Sequence, residues 1–290
     1  MLKTLEGHMD EIYSICFNLP YDDKVATCSR DKTAKLWDAT TGFCLATFNG
    51  HDADVIGLAI DPDSTTMATI SLDNTAILWD IETQIELIRI KSHKDQINTI
   101  SFNSDGDKIL TGSNDFTAKI FDSYNGEEIC SLNEHKGIIS SCEFNYDGNM
   151  VLTSSFDKTC KLWDLRNNSK SLKTFNEHSN KIMDACFNLA GTKIASCSAD
   201  TTVKVYDVKS LNTEFTFVGD GKEVSKVIFD SRGYNLIAGS DNCRLYNLET
   251  GECKQILDGF PLAFDYDRST IITSKGNNFN IWTNKEKDNN

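Results

Sequence analysis

All five histidines of the chain, His8, His51, His93, His135 and His178, stand 42 or 43 residues apart. Chance does not space a residue type in this way, so the chain is a tandem repeat, and the repeat length limits the folds open to it. The four tryptophans keep the same beat at Trp37, Trp79, Trp163 and Trp282, with Phe121, Tyr206 and Tyr246 at the intervening places. Seven units therefore fill the chain. A unit of this size cannot bury its apolar face alone, whereas stacked neighbours build a continuous core.

Within a unit the pattern runs from Gly50-His51 to Trp79-Asp80, with variants elsewhere. A G-H near the start and a W-D near the end, at a period of about 40 to 45 residues, is the signature of a four-stranded propeller blade. The fourth unit reads most clearly. Short β-rich runs at 138–144, 150–155 and 159–164 are separated by Asp147-Gly148, which suits a tight hairpin, and by Phe156-Asp157-Lys158. A fourth strand is expected over Ser171–Phe175. The expected fold is all-β: a seven-bladed β-propeller forming one domain over residues 1–283, followed by a disordered polar tail at 284–290. The outer strand that should follow Trp282 is missing, so Leu2–Leu5 is expected to pair onto the last blade and close the ring, removing exposed sheet edges.

Composition narrows the function. The formal charge of −14, from 43 acidic and 29 basic residues, disfavours nucleic acid and anionic membranes and leaves other proteins as the expected partners. Most of the ten cysteines recur at strand-like places, such as Cys28 and Cys197, and read as small core residues of a reducing compartment. None has paired C-x-x-C spacing, so neither a metal nor a cofactor is expected. The start of the chain carries no basic region leading into an apolar run, and the expected location is cytoplasmic.

Each of the first five units carries a histidine, a hydroxyl, an aspartate and an aromatic at fixed offsets. These are His8, Thr27, Asp31, Trp37; His51, Thr69, Asp73, Trp79; His93, Thr111, Asp115, Phe121; His135, Thr153, Asp157, Trp163; and His178, Ser196, Asp200, Tyr206. The composition suggests a nucleophile, a base and an orienting acid, but an enzyme needs one such site and not five. No Gly-rich phosphate loop, G-x-S-x-G or H-E-x-x-H is present either. Neither a catalytic activity nor a small-molecule substrate is expected.

The repeated G-H and W-D units resemble the WD-repeat (WD40-type) β-propeller family over residues 2–283. That resemblance implies a structural use for the constellation: the turn aspartate accepts from the imidazole, which is tied to a strand hydroxyl and, through it, to the indole N–H. Two hydroxyls compete for this place in each unit, because Ser29, Ser71, Ser113, Ser155 and Ser198 lie two residues further along the same strand face; the earlier one is favoured by analogy. Units six and seven depart, with Asp220 in place of the histidine, Ser240 or Asp241 at the turn, and Gly276 for the last aspartate.

The family displays residues three and five after each histidine, and one before each turn aspartate, around its central channel. By offset these are Glu11, Tyr13, Arg30; Asp54, Ile56, Leu72; Gln96, Asn98, Asn114; Ile138, Ser140, Phe156; Lys181, Met183, Ala199; and Glu223, Ser225. The binding face is expected at Tyr13, Arg30, Ile56, Leu72, Asn98, Asn114, Ile138, Phe156 and Met183. Five of these, Ile56, Leu72, Ile138, Phe156 and Met183, are apolar where solvent alone would favour polar side chains, as at a protein-binding surface. With Arg30 the single arginine among the displayed positions, a phosphopeptide ligand is not expected.

Longer strings carry a finer resemblance: residues 20–27, residues 31–38, and Phe144-Asn145-Tyr146-Asp147-Gly148 followed by residues 155–163. They are similar to the axonemal dynein assembly factors with WD repeats, which implies a cargo adaptor in a cilium or flagellum, linking outer-arm dynein to intraflagellar transport. A rival comes from Trp163-Asp164-Leu165-Arg166, which matches the W-D-x-R of substrate receptors for cullin-RING ubiquitin ligases and would make Arg166 a ligase-linker contact.

Overall fold

A computed structural model describes residues 5–18, 21, 23–166, 170–219, 221–230, 232–239, 242–264, 270–275 and 278–283, with side chains up to residue 259. Every regular element among them is a β-strand. The first sheet holds β1 (Ile12–Phe17), β2 (Lys24–Ser29), β3 (Thr33–Asp38) and β4 (Cys44–Asn49). The second holds β5 (Val55–Ile60), β6 (Thr66–Ser71), β7 (Ala76–Asp80) and β8 (Glu86–Ile90). The third holds β9 (Ile97–Phe102), β10 (Lys108–Ser113), β11 (Ala118–Asp122) and β12 (Glu128–Leu132). Next come β13 (Ile139–Phe144), β14 (Met150–Ser155), β15 (Cys160–Asp164) and β16 (Ser171–Phe175), then β17 (Ile182–Phe187), β18 (Lys193–Ser198), β19 (Thr202–Asp207) and β20 (Thr213–Val218). The sixth sheet is β21 (Lys226–Phe229), β22 (Asn235–Gly239), β23 (Asn242–Asn247) and β24 (Cys253–Asp258). A last sheet has three strands, β25 (Phe260–Phe264), β26 (Thr270–Lys275) and β27 (Asn278–Thr283). Each sheet follows chain order, as short hairpins dictate.

Turn chemistry explains the strand boundaries. Between the first two strands of a unit, Gly106, Gly148, Gly191 and Gly233 take left-handed φ of 64° to 72°, a conformation that costs glycine nothing. Each of these turns begins with a mostly buried Asn or Asp whose side-chain oxygen receives a returning amide. The Lys24 amide donates to Asn18 Oδ1 at 2.8 Å, and Lys108, Met150, Lys193 and Asn235 repeat the bond to Asn103, Asn145, Asn188 and Asp230. The second turn places a non-glycine residue in the left-handed region, at Lys32, Asn74, Phe116, Lys158 and Thr201. That conformation costs energy and persists only where neighbours hold it.

The chain divides into two compact units, residues 1–153 with 163–171, and residues 154–162 with 172–290. In the first, apolar side chains interleave between successive sheets: Ala26, Leu36 and Phe48 meet Val55, Met67 and Trp79, and Ile70 and Leu78 meet Ile97, Ile109 and Phe121. In the second, Cys197, Val205 and Phe217 pack with Val227, Leu236 and Tyr246. Each fully buried aliphatic chain contributes about 1.5–3 kcal/mol. Cys28, Cys142, Cys160, Cys197 and Cys243 are buried, and burial pushes the Cys16 and Cys28 thiols up to about 12. Cys44 and Cys253 depart from the core reading of the cysteines: they open outer strands and are exposed. Residues 1–4 and 284–290, Asp220, Ser240, Asp241 and Gly276 lie outside the described residues, and with them the expected closing strand and tail.

Two bulges recur in register. On the outer strand the extra residue is Leu45, Leu87, Ile129, Glu214 or Lys254. On the inner strand it is Tyr13, Ile56, Asn98 or Met183. A bulge bends its strand and re-aims the extra side chain, which a strict two-residue alternation cannot express.

Candidate functional site

The five polar constellations come first, because their geometry decides whether they are available for chemistry. In the first sheet the Trp37 indole N–H donates to Thr27 Oγ1 at 2.8 Å, Thr27 Oγ1 lies 2.8 Å from His8 Nε2, and His8 Nδ1 lies 2.8 Å from Asp31 Oδ2. An indole can only donate, so the threonine oxygen accepts from it and spends its own proton on Nε2; the remaining imidazole proton sits on Nδ1 and goes to the aspartate. The second sheet repeats this through Trp79, Thr69, His51 and Asp73. His93 bridges Thr111 and Asp115 beside Phe121, which has no N–H, and His178 bridges Ser196 and Asp200, with the Tyr206 hydroxyl 3.4 Å from Ser196 Oγ. His135 meets Thr153 at 2.8 Å, and Trp163 donates to the same oxygen. The hydroxyl in each chain is the earlier of the two.

The later serine ties the turn down instead. Ser29 Oγ donates to the Asp10 carbonyl and accepts from the Asp31 amide; Ser71, Ser113 and Ser198 donate to the corresponding carbonyls of Ala53, Asp95 and Asn180. A third hydroxyl in each unit, which the sequence offered only as a turn residue, joins the network. Thr33 donates its hydroxyl to Asp31 at 2.6 Å and its amide at 3.0 Å, and Thr75, Thr117, Thr159 and Thr202 do the same to their aspartates. The signal was an Asp-x-Thr in all five units.

Burial alone would push the Asp31 carboxyl up, but the Thr33 hydroxyl, the Met9 amide and His8 outweigh it and hold the group at about 2. Asp115 and Asp200 behave alike, also at about 2, and Asp73 is shifted the same way. Burial moves His51, His93 and His178 below the ordinary imidazole value, against the pull of their aspartates. These imidazoles therefore sit neutral, with both ring nitrogens engaged. A general base needs a free nitrogen facing a substrate, and these have none to offer.

The displayed positions contrast with them. Tyr13, Leu72 and Phe156 are 46, 42 and 37 % exposed. Tyr13 and Leu72 share an edge in the first unit: the Tyr13 hydroxyl donates to Asp54 at 3.3 Å, the Leu72 amide donates to the Asp54 carbonyl, and Arg30 Nε lies 3.9 Å from both Asp10 and Asp54. In the third sheet Gln96, Asn98 and Asn114 bond to one another, and Asn98 also donates to the Ile139 carbonyl. The expected apolar face is thinner than its five residues suggest. Ile56 and Met183 lean against the cores, because side chains that leave these bulges still rest on the apolar packing, and Ile138, just before β13, is half-buried. Arg166 is exposed, and its guanidinium grips Asp164 of the same W-D-x-R string at 2.8 and 2.9 Å. Among the described residues no group of histidine, cysteine or carboxylate side chains could hold a metal ion.

Comparison with known proteins matches this geometry to a repeat family. A family model described as WD domain, G-beta repeat matches residues 1–38, 42–80, 85–122, 126–164 and 169–207. Curated relatives include the nuclear distribution protein PAC1 of Komagataella phaffii, 44% identical over 50 residues, or 17% of this chain and 10% of that protein. PAC1 of Mycosarcoma maydis is 51% identical over 43 residues, 15% of this chain and 10% of its own. Nuclear distribution protein nudF 1 of Talaromyces marneffei is 40% identical over 50 residues, 17% and 11%. The matched stretches span about a tenth of the length of these relatives. With five consecutive repeats matched over more than half its length, the chain belongs to the WD domain, G-beta repeat family.

Proposed function

We propose that the protein is a non-enzymatic scaffold or adaptor that binds other proteins through the residues displayed at its inner-strand bulges and second turns. The carrying observation is the division of labour among side chains: the polar groups with catalytic composition are bonded into the sheets, while Tyr13, Leu72 and Phe156 stand exposed. In this reading the sheets are the seven blades of a propeller closed by the N-terminal strand, working in the cytoplasm without cofactor, metal, nucleic acid or membrane. Function then lives in what the platform displays.

The strings at residues 20–27, 31–38, 144–148 and 155–163, read as similar to the dynein assembly factors, motivate the finer form of the proposal, a cargo adaptor for axonemal dynein assembly and intraflagellar transport in a ciliated cell. The relatives' name, nuclear distribution protein, is in keeping with the placing of cellular cargo. A second reading, substrate receptor of a cullin-RING ligase, rests on Arg166, which Asp164 orients while leaving it exposed.

Affinity capture from the source cells with quantitative mass spectrometry separates these readings. Leu72→Glu and, separately, Phe156→Glu place a charge on the displayed surface without touching the core, as a change at Ile56 would. Loss of dynein-arm or intraflagellar-transport subunits with either variant is the expected result. A cullin-ligase linker lost only with Arg166→Ala would replace it with the second reading, and an interactome indifferent to all three would sink both.

A further inference from the structure

The displayed surface of the second unit already holds a cation, and holds it loosely. The Lys181 ammonium sits over the Phe156 ring, 5.4 Å from its centroid, and 3.9 Å from the Glu223 carboxylate, beyond hydrogen-bond distance. Lys119 and Lys226 are bonded more tightly, 2.8 Å from Glu128 and 3.0 Å from Asp184, and Lys204, 3.7 Å from Glu177, has no ring beneath it among the described residues but bonds to Thr216 instead. Lys181 also remains 37 % exposed and Glu223 59 %. An aromatic face and a carboxylate both attract positive charge.

The first unit repeats the composition independently. An exposed tyrosine, Tyr13, leans on Asp54, while Arg30 stands 3.9 Å from Asp54 and from Asp10. In both units, then, a carboxylate at a displayed position stands 3.9 Å from the chain's own cation, too far for a hydrogen bond, and an exposed aromatic lies beside it: the Phe156 ring under Lys181 in one, Tyr13 bonded to Asp54 in the other.

We infer that these places are docking points for a partner segment carrying arginine or lysine beside apolar residues, and that Lys181 and Arg30 are occupants which such a segment displaces. The inference rests on the adaptor reading and adds the chemistry of the partner. A cation that takes the place of Lys181 beside Phe156 meets the ring face and Glu223. The net charge of −14 draws a basic segment from a distance and repels an acidic one.

The test uses the full chain and a fluorescein-labelled peptide of alternating arginine and leucine, with a glutamate–leucine peptide as its counterpart, read by fluorescence anisotropy at low and high salt. The arginine peptide should bind and the glutamate peptide should not. Phe156→Leu, which leaves the charge unchanged, should weaken binding about threefold, and Lys181→Met should tighten it by a similar factor by vacating the site. Glu223→Gln should weaken binding more than Glu252→Gln, which makes the same change of net charge at an exposed position just before β24. Melting curves establish that each variant is folded. If the two glutamine variants weaken binding equally and Phe156→Leu has no effect, the attraction is bulk charge and the inference is overturned; preference for the glutamate peptide overturns it too. If cellular partners are lost with Phe156→Glu while the peptides do not discriminate, the adaptor reading stands and the partner chemistry assigned here fails. If neither assay responds to the displayed residues, both fail.

Discussion

The fifth and sixth sheets are neighbours built to one plan but held differently. In the fifth, His178 joins Ser196 to Asp200, and Asp200 also accepts from Ser179 and Thr202, so the loop entering β17 is laced to the turn leaving β18. The sixth unit has no histidine in its sequence, and main-chain bonds from Val224 to Ser198 and from Ser225 to Gly239 hold its entering loop. Its first strand has four residues, where β17 has six. Yet both sheets feed one apolar core, with Phe217 stacked on Tyr246 at 4.2 Å. Apolar burial therefore builds a sheet of this kind, and the polar network fixes the loop that enters it. The constellation that looked most like chemistry belongs to the second task.

The strongest way to break this comparison is to attack the core that the two sheets share. Tyr246→Ala should cost about 3–5 kcal/mol in a denaturant titration, the range for an aromatic truncated in a packed interior. A loss below 1 kcal/mol would mean that the sixth sheet does not depend on its core. Asp200→Ala should cost less, roughly 1.5–3 kcal/mol, because it removes charge-assisted bonds and leaves His178 and the Ser179 amide without their acceptor.

Acid should separate the sheets more gently. Asp31, Asp115 and Asp200 are held at about 2 against an ordinary 3.8, so their contribution is complete above 3.8 and is lost as pH falls towards 2. His51, His93 and His178 lie below 6.5, so the unfolded chain binds their protons first and stability begins to decline below that value. Both effects have the same sign. Urea midpoints should therefore drift down below about pH 6.5 and fall more steeply below about pH 4; a midpoint that rises on acidification would contradict the network. The smallest effect is expected at Thr201, a β-branched residue with φ of 72°. Thr201→Gly should raise stability by roughly 0.5–1 kcal/mol, since relief of the left-handed strain exceeds the entropy that glycine adds to the unfolded chain.

Much of this was legible because period and chemistry coincide. A histidine every 42 or 43 residues gave the repeat, and the offsets from His8 to Thr27, Asp31 and Trp37 placed four partners that meet within 2.8 Å contacts. Asp-x-Thr recurs as regularly, but a threonine two residues after a turn aspartate is ordinary turn chemistry, so the pattern alone does not single out Thr33 as a partner of Asp31. The bulges at Tyr13, Ile56, Asn98 and Met183 could not be read, since an extra residue in one strand shows only against its partner's register. That same geometry makes Ile56 and Met183 poorer surface residues than their offsets implied: their side chains leave a bent strand and rest on the apolar packing.

Native-state hydrogen exchange followed by mass spectrometry tests the central claim most directly, by comparing amides of Lys193–Val218 with those of Lys226–Asp258 in one sample. If the polar constellations are structural fastenings, the sheet whose unit lacks the histidine should exchange about tenfold faster or more, the factor that one missing hydrogen bond to a charged group, about 1.5–3 kcal/mol, supplies. Equal protection in the two sheets, or greater protection in the sixth, would show that the network fastens nothing and would return the five constellations to the list of unexplained chemistry.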